Sequence, residues 1–114
     1  DIDRQLDQAG APALETVRAA LSAEGLEAEV AREATGLVLT ATGQNGPTFH
    51  YRLAARERPR PAMTALDAPE KRRAMEWRLS AYSDAAGRAR DLTGFTREQI
   101  VADVLEHLRL WRMG

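Results

Sequence analysis

The stretch Thr35-Gly36-Leu37-Val38-Leu39-Thr40-Ala41-Thr42, the turn Gly43-Gln44-Asn45-Gly46-Pro47 and the return Thr48-Phe49-His50-Tyr51-Arg52-Leu53-Ala54-Ala55-Arg56 decide the fold. Side chains along a strand point alternately to its two faces. Leu37, Leu39 and Ala41 therefore share one face, and Val38, Thr40 and Thr42 the other. The second run repeats the pattern, with Phe49, Tyr51, Leu53 and Ala55 set against His50, Arg52 and Arg56. The glycines, asparagine and proline between them form a dense turn signal. The spacing predicts a β-hairpin with one apolar face, and that face must be covered.

Covering elements lie on both sides in the chain. Residues 1–10 are polar and read as a lead-in or linker ending at Gly10. Pro12 suits a first helical turn, and Leu14, Val17 and Leu21 recur at helical spacing, so a helix is expected over 12–24. Gly25 is placed as a left-handed cap with Leu26 as the apolar contact beyond it. Residues 27–32 alternate weakly and predict a poor strand. After the hairpin, residues 57–74 lose periodicity around Pro59, Pro61 and Pro69 and read as a loop. Alternation returns at 76–83, where Trp77, Leu79 and Ala81 form the apolar side, and a turn at 84–87 leads to a short strand near 88–92. Thr96-Arg97-Glu98-Gln99 is a capping box with Phe95 and Ile100 placed as a hydrophobic staple. Ile100, Val104, Leu108 and Trp111 then make the apolar stripe of a helix running to about residue 112. The expected fold is α+β: a two-layer sandwich with a mostly antiparallel sheet of about five strands and the N- and C-terminal helices on one face. Residues 11–114 form one domain in this reading.

Composition narrows the function. The 114 residues carry 16 Lys+Arg, 17 Asp+Glu and no Cys. A net charge of −1 argues against a nucleic-acid partner. The lack of cysteine removes disulfides, thiol nucleophiles and Cys-bound zinc. No apolar run approaches the 18 or so residues of a membrane span, and no signal peptide is visible. The chain opens on Asp1 rather than Met, as a piece of a longer protein would, and as a chain with a cleaved tag or a disordered start would too.

No catalytic constellation stands out. His50 lies on the polar side of its strand, and His107 follows Glu106 with no ligand pair recognised around it, so both read as solvated histidines. No nucleophile elbow, phosphate loop or dinucleotide fingerprint occurs. Glu24, Glu27, Glu29 and Glu33 straddle a helix end and a strand, where charges discourage edge-to-edge pairing more readily than they hold a metal. Trp77 and Trp111 fall on core stripes and make no cation cage. No catalytic residue, metal or cofactor is expected. The suggestive group is Arg56, Arg58, Arg60, Lys71, Arg72 and Arg73, which gives residues 56–73 a charge of +3 while residues 1–55 carry −4. Such a cluster suits anionic lipid headgroups or another regulatory surface.

The stretch Asp91-Leu92-Thr93-Gly94-Phe95-Thr96-Arg97-Glu98-Gln99-Ile100-Val101-Ala102-Asp103-Val104-Leu105 resembles the end of the cytoplasmic C-terminal domain of bacterial choline transporters of the betaine/choline/carnitine transporter family. In that family a strand ending in Tyr-Asp-aliphatic-Met-Gly-aromatic leads into Ser/Thr-x-Glu-Gln and an apolar helix with an acidic residue at the place of Asp103. Asp91, Leu92, Gly94, Phe95, Thr96, Glu98, Gln99, Ile100, Asp103, Val104 and Leu105 match, whereas Arg90 and Thr93 depart. Close similarity spans Met75 to Leu108, and the first half agrees in layout only. The resemblance implies an osmosensing regulatory tail, itself soluble, on a carrier that imports choline or a related osmoprotectant precursor at the bacterial inner membrane. Its partners would be the carrier's membrane portion, anionic lipid and further copies of itself. A small-ligand-binding or dimerisation module without catalysis is the alternative.

Overall fold

The computed structural model describes residues 2–43, 46–59, 75–85 and 87–113. Its elements are α1 (Ile2–Gln5), a wide π-turn (Leu6–Gly10), α2 (Ala11–Ala23), β1 (Glu27–Glu33), β2 (Gly36–Thr42), β3 (Thr48–Pro59), β4 (Met75–Ser83), β5 (Arg90–Asp91) and α3 (Arg97–Met113). The strands form one antiparallel sheet in the order β1-β2-β3-β4-β5. Leu14, Val17 and Leu21 of α2 and Ile100, Val104 and Leu108 of α3 bury against the sheet face carrying Leu37, Leu39, Phe49, Tyr51, Leu53 and Leu79. The expected α+β sandwich is the observed one. Each fully buried leucine contributes about 1.5–3 kcal/mol, so the alternating hairpin and the helical stripes supply the main driving force together.

The caps form as the residue types require. Gly25 has φ +96°, Leu26 N–H donates to Leu21 O at 3.1 Å, and Gly25 N–H donates to Ser22 O at 3.0 Å. These two bonds satisfy the last carbonyls of α2. At α3, Gln99 N–H donates to Thr96 Oγ1 at 3.2 Å and Thr96 N–H donates to Gln99 Oε1 at 2.9 Å, closing the capping box.

Three segments differ from expectation. Residues 2–10, expected as a polar lead-in, are helical, with Ile2, Leu6 and Gly10 buried at a spacing of four. Two large apolar residues were too few to announce a period among polar neighbours. Gln5 also ties this segment down, its Nε2 donating to Leu92 O at 2.9 Å and Phe95 O at 3.2 Å. The π-turn just before Pro12 eases a helix past a residue that has no N–H to donate. Residues 57–59, expected in the loop, extend β3 and pair with β4 through Glu57–Trp77, Arg58–Glu76 and Pro59–Met75. Pairing with β4 overrides the proline signal because Pro59 stands at the last paired position. The rest of the expected loop lies outside the described residues. Trp77, expected in the core, is 52% exposed, because it lines a hollow with Ile2 and Asp3 of α1 instead of packing beneath a helix.

The opposite face of the sheet is polar. The register aligns Glu27, Glu29 and Glu33 of β1 with Thr42, Thr40 and Gly36 of β2, and these in turn with Thr48, His50 and Ala54 of β3. Arg52 lies over the Tyr82 ring at 5.7 Å from its centroid and sets Nε 2.9 Å from Glu33 Oε1.

Gly36 is the described glycine with the least room for a side chain. A Cβ there would stand 2.0 Å from the Leu53 carbonyl oxygen, which belongs to backbone and cannot move aside. Gly36→Ala should cost about 2–3 kcal/mol in urea unfolding. Gly43→Ala, where a Cβ meets nothing within 4 Å, should change stability by less than about 0.5 kcal/mol.

Candidate functional site

The expected basic cluster is placed in part. Arg56 and Arg58 are exposed on β3, on the polar face opposite Arg78 and Glu76 of β4. Arg60, Lys71, Arg72 and Arg73 lie outside the described residues, although the chain joins them directly to the ends of β3 and β4. Arg78 is engaged by Asp91, whose Oδ2 accepts from Nη2 at 2.7 Å and from Nε at 2.9 Å. Burial alone would raise the Asp91 pKa. Its hydrogen bonds from Thr93 and the Arg78 guanidinium outweigh that and hold it at about 2.

The sequence reading missed a buried polar group between α3 and the sheet. His107, expected in solvent, is 2% exposed, and Asp103, one helical turn before it, is 6% exposed. Four residues apart on a helix, the two share a face. The signal for it in the sequence is the Asp103 carboxylate at i−4, on the same helical face as the ring. Asp103 Oδ2 accepts the Tyr51 hydroxyl at 2.6 Å, and its Oδ1 accepts Arg90 Nη1 at 2.7 Å. His107 Nε2 stands 3.7 Å from Asp103 Oδ2, and its Nδ1 lies 2.6 Å from Ser83 Oγ. The ring meets Tyr51 edge-on, with centroids 5.4 Å apart. Burial, and then the bond to Asp103, push the Tyr51 pKa far above the usual phenol value, so the hydroxyl stays a donor.

A serine, a histidine and an aspartate in one cluster resemble a hydrolytic relay in composition. Their geometry serves packing. Ser83 is 6% exposed, and its Oγ already accepts the Ala85 N–H at 3.1 Å. If Ser83 donates to Nδ1, the remaining ring N–H at Nε2 faces the Asp103 carboxylate, so each polar group has an opposite number. The cluster ties α3 to β3, β4 and the residue that opens β5.

His50 is exposed as expected. It gains a partner in Asp84, whose Oδ2 lies 2.9 Å from both Nδ1 and the His50 backbone N. Glu24 pairs with Arg112, Glu33 pairs with Arg52, and Glu27 and Glu29 are exposed on β1. Among the described residues no group of three or more acidic or imidazole side chains converges as a metal site. Trp111 is half-buried, its ring 5.3 Å from Phe49, as its stripe predicted.

A hollow of about 580 Å³ opens beside α1 at the end of the sheet's inner face. Trp77 and Ala55 line it from the sheet, Ile2 and Asp3 from α1, and Thr35 and Thr93 from the turns between elements. No helix among the described residues is long and apolar enough to cross a membrane.

Comparison with known protein families finds no match to this chain, and comparison with curated proteins finds no similar sequence.

Two measurements follow from the buried group. Asp103→Ala should cost about 3–5 kcal/mol and Tyr51→Phe about 1.5–3 kcal/mol, with a coupling of about 1–3 kcal/mol in the double-mutant cycle by denaturant unfolding. Asp91 gives a pH signature. Its folded pKa is depressed, so its contribution is complete above the unfolded value near 4 and is lost as pH falls toward 2. Unfolding curves for Asp91→Asn should lose part of the acid sensitivity in that window.

Proposed function

We propose that this chain is a regulatory domain of a membrane carrier that imports choline or a related quaternary ammonium compound. It acts at the cytoplasmic face of the bacterial inner membrane and adjusts transport to osmotic conditions by binding, without catalysis. The observation that carries this reading is that the residues behind the resemblance form one structural unit. Gly94 turns with φ +85°, the Thr96–Gln99 box caps α3, and Asp103 is the buried carboxylate that fastens α3 to the sheet. Gln5 reaches the same turn from the other end of the chain, so the first half is built onto that unit.

Regulation works through the basic end of the sheet. Arg56 and Arg58, followed in the chain by Arg60 and then by Lys71, Arg72 and Arg73, meet anionic headgroups, each contributing about 1 kcal/mol near the surface. Rising ionic strength shortens the screening length from about 8 Å at 0.15 M toward about 3 Å at 1 M, so the contact weakens as the cytoplasm concentrates. The carrier's membrane portion and neighbouring copies are the other contacts of the domain.

The reading frame upstream of Asp1 tests this directly. It should encode about twelve apolar runs of about 20 residues. A start codon immediately before Asp1 would refute the reading. In cells carrying the whole carrier, Arg56→Glu with Arg58→Glu should shift choline uptake so that it activates at lower osmolality. An unchanged activation curve counts against the lipid contact.

The hollow beside Trp77 favours a second reading, a small-ligand module, since about 580 Å³ falls within the size range of small-molecule sites. A ligand at about 100 times its Kd would stabilise the fold by about 2.7 kcal/mol. Thermal unfolding with choline, betaine, amino acids and K⁺ reads this, and no shift with any of them removes it.

A further inference from the structure

α2 and α3 run the same way across the sheet, because Gln5 ahead of α2 bonds to Phe95 ahead of α3, and Glu24 at the end of α2 pairs with Arg112 near the end of α3. Their sheet-facing sides are buried, and away from the sheet they leave a groove of about 290 Å³ between them. Val17, Ala20 and Leu21 line it from α2, and Leu105, Leu108 and Arg109 from α3. Ala20 is exposed, Leu105 is 47% exposed, and Met113, which also borders the groove, is 73% exposed. Trp111 packs on Phe49 near the start of β3, so the groove lies toward that end of the sheet and away from Pro59, where β3 ends. The charges on α3 say what fits there. Glu98 stands seven residues before Leu105 and Arg112 seven after it, and seven residues are close to two turns, so the three share one stripe. Val101 and Arg109 flank Leu105 at four residues on either side. The stripe is acidic at its start, apolar at its centre and basic at its end, which makes it complementary to a copy of itself running the other way. The free edge of β1 has no such property. A two-fold axis there pairs residues of the same face, and every register centred on residues 28–31 sets one glutamate of Glu27, Glu29 and Glu33 against another.

We propose that two copies of this chain dimerise through this face: their α3 helices pack antiparallel about a two-fold axis at Leu105, and Val101 and Ala102 of each copy enter the α2–α3 groove of the other. Glu98 of one copy then meets Arg109 and Arg112 of its partner, twice per dimer. The inference rests on the contact with neighbouring copies in the reading above and gives that contact a surface. A two-fold arrangement of this kind closes on itself, so it ends at two copies. Antiparallel helices also set the positive end of one macrodipole beside the negative end of the other. The exposed Ala20 on the groove wall and Ala102 on the incoming helix allow the backbones to come close. Arg109 already pairs with Glu106, and Arg112 with Glu24, so the incoming carboxylate joins two surface ion pairs and breaks neither. From Glu98 to Arg112 the stripe is about 21 Å long, which is short for a stable interface, so the dimer is weak and depends on concentration. Its charged ends are exposed, so salt weakens it further.

Sedimentation of the 114-residue chain should show a monomer–dimer equilibrium that Leu105→Glu weakens at least about tenfold. Glu98→Arg should weaken it by a similar factor, and so should Arg109→Glu with Arg112→Glu. An equal mixture of those two variants should recover the dimer, because in the mixed pair every carboxylate again faces arginines. Circular dichroism checks that each variant is folded, and Arg112→Glu alone replaces the double change should that one unfold. The chain has no cysteine, so one introduced thiol measures the geometry. With helix axes about 8–10 Å apart, the two Cα atoms on the axis stand within disulfide reach, and Leu105→Cys should cross-link under mild oxidation. Arg109→Cys should not, since its two copies lie about 12 Å apart along the helices. A monomer at every concentration up to about 1 mM, the weakest affinity of interest, would overturn the dimer and leave the groove to a helix of a different chain. A dimer indifferent to both Leu105→Glu and Glu98→Arg, or cross-linked equally well through Arg109→Cys, would overturn it in favour of another surface. None of these outcomes touches the carrier reading, which the upstream reading frame decides separately.

Discussion

A carboxylate buried between a helix and a sheet must be matched by donors, or the helix does not stay there. Asp103 is that group. Water cannot serve it at 6% exposure, so its two oxygens draw on Tyr51 from the middle of β3 and Arg90 from the start of β5, while His107 stands within ion-pair range and passes the tie on to Ser83 at the end of β4. Apolar burial by Ile100, Val104 and Leu108 makes α3 adhere to the sheet but tolerates sliding. The polar tie fixes where along the sheet α3 sits, because one turn of displacement would leave Asp103, Tyr51 and His107 unpaired together.

The same sheet is covered unevenly. α2 and α3 hide the rows from Leu37 to Tyr51, and α1 with the π-turn closes the far side through Ile2 and Leu6. That closure depends on a polar residue as much as on the apolar pair, since Gln5 satisfies two carbonyls in the turn that precedes α3. Near Trp77 the cover given by the described helices is incomplete, and a hollow lined by Trp77 and by Ile2 of α1 lies there.

Much of this was legible from local pattern. Both caps, the strand of Leu37 to Ala41, the strand of Phe49 to Ala55 and the stripe of α3 follow from periods of two and 3.6 and from side chains that bond their own backbone. What failed to show depends on distant partners. Nothing near residue 5 says that its amide will meet Leu92 and Phe95, and nothing near Trp77 says that it will stand half exposed. His107 is the instructive case. Its spacing from Asp103 was in plain view, yet whether that pair faces water or the core depends on Tyr51, which lies 52 positions from Asp103. The basic cluster was legible as charge, but its geometry is given only for Arg56 and Arg58.

β4 joins the two unusual parts of the molecule. It begins at the exposed Met75 and Trp77 and ends at Ser83 in the buried group, with about 20 Å of strand between Trp77 and Ser83. Between them Leu79 and Ala81 are fully buried, Leu79 O accepts the Leu92 N–H at 2.7 Å, and Leu79 N–H donates to Thr93 Oγ1 at 2.8 Å. A strand held at its centre and at one end bends little, so its outer end at Met75 and Trp77 is carried by the sheet and α3. The buried carboxylate of Asp103 keeps α3 and the sheet in one piece.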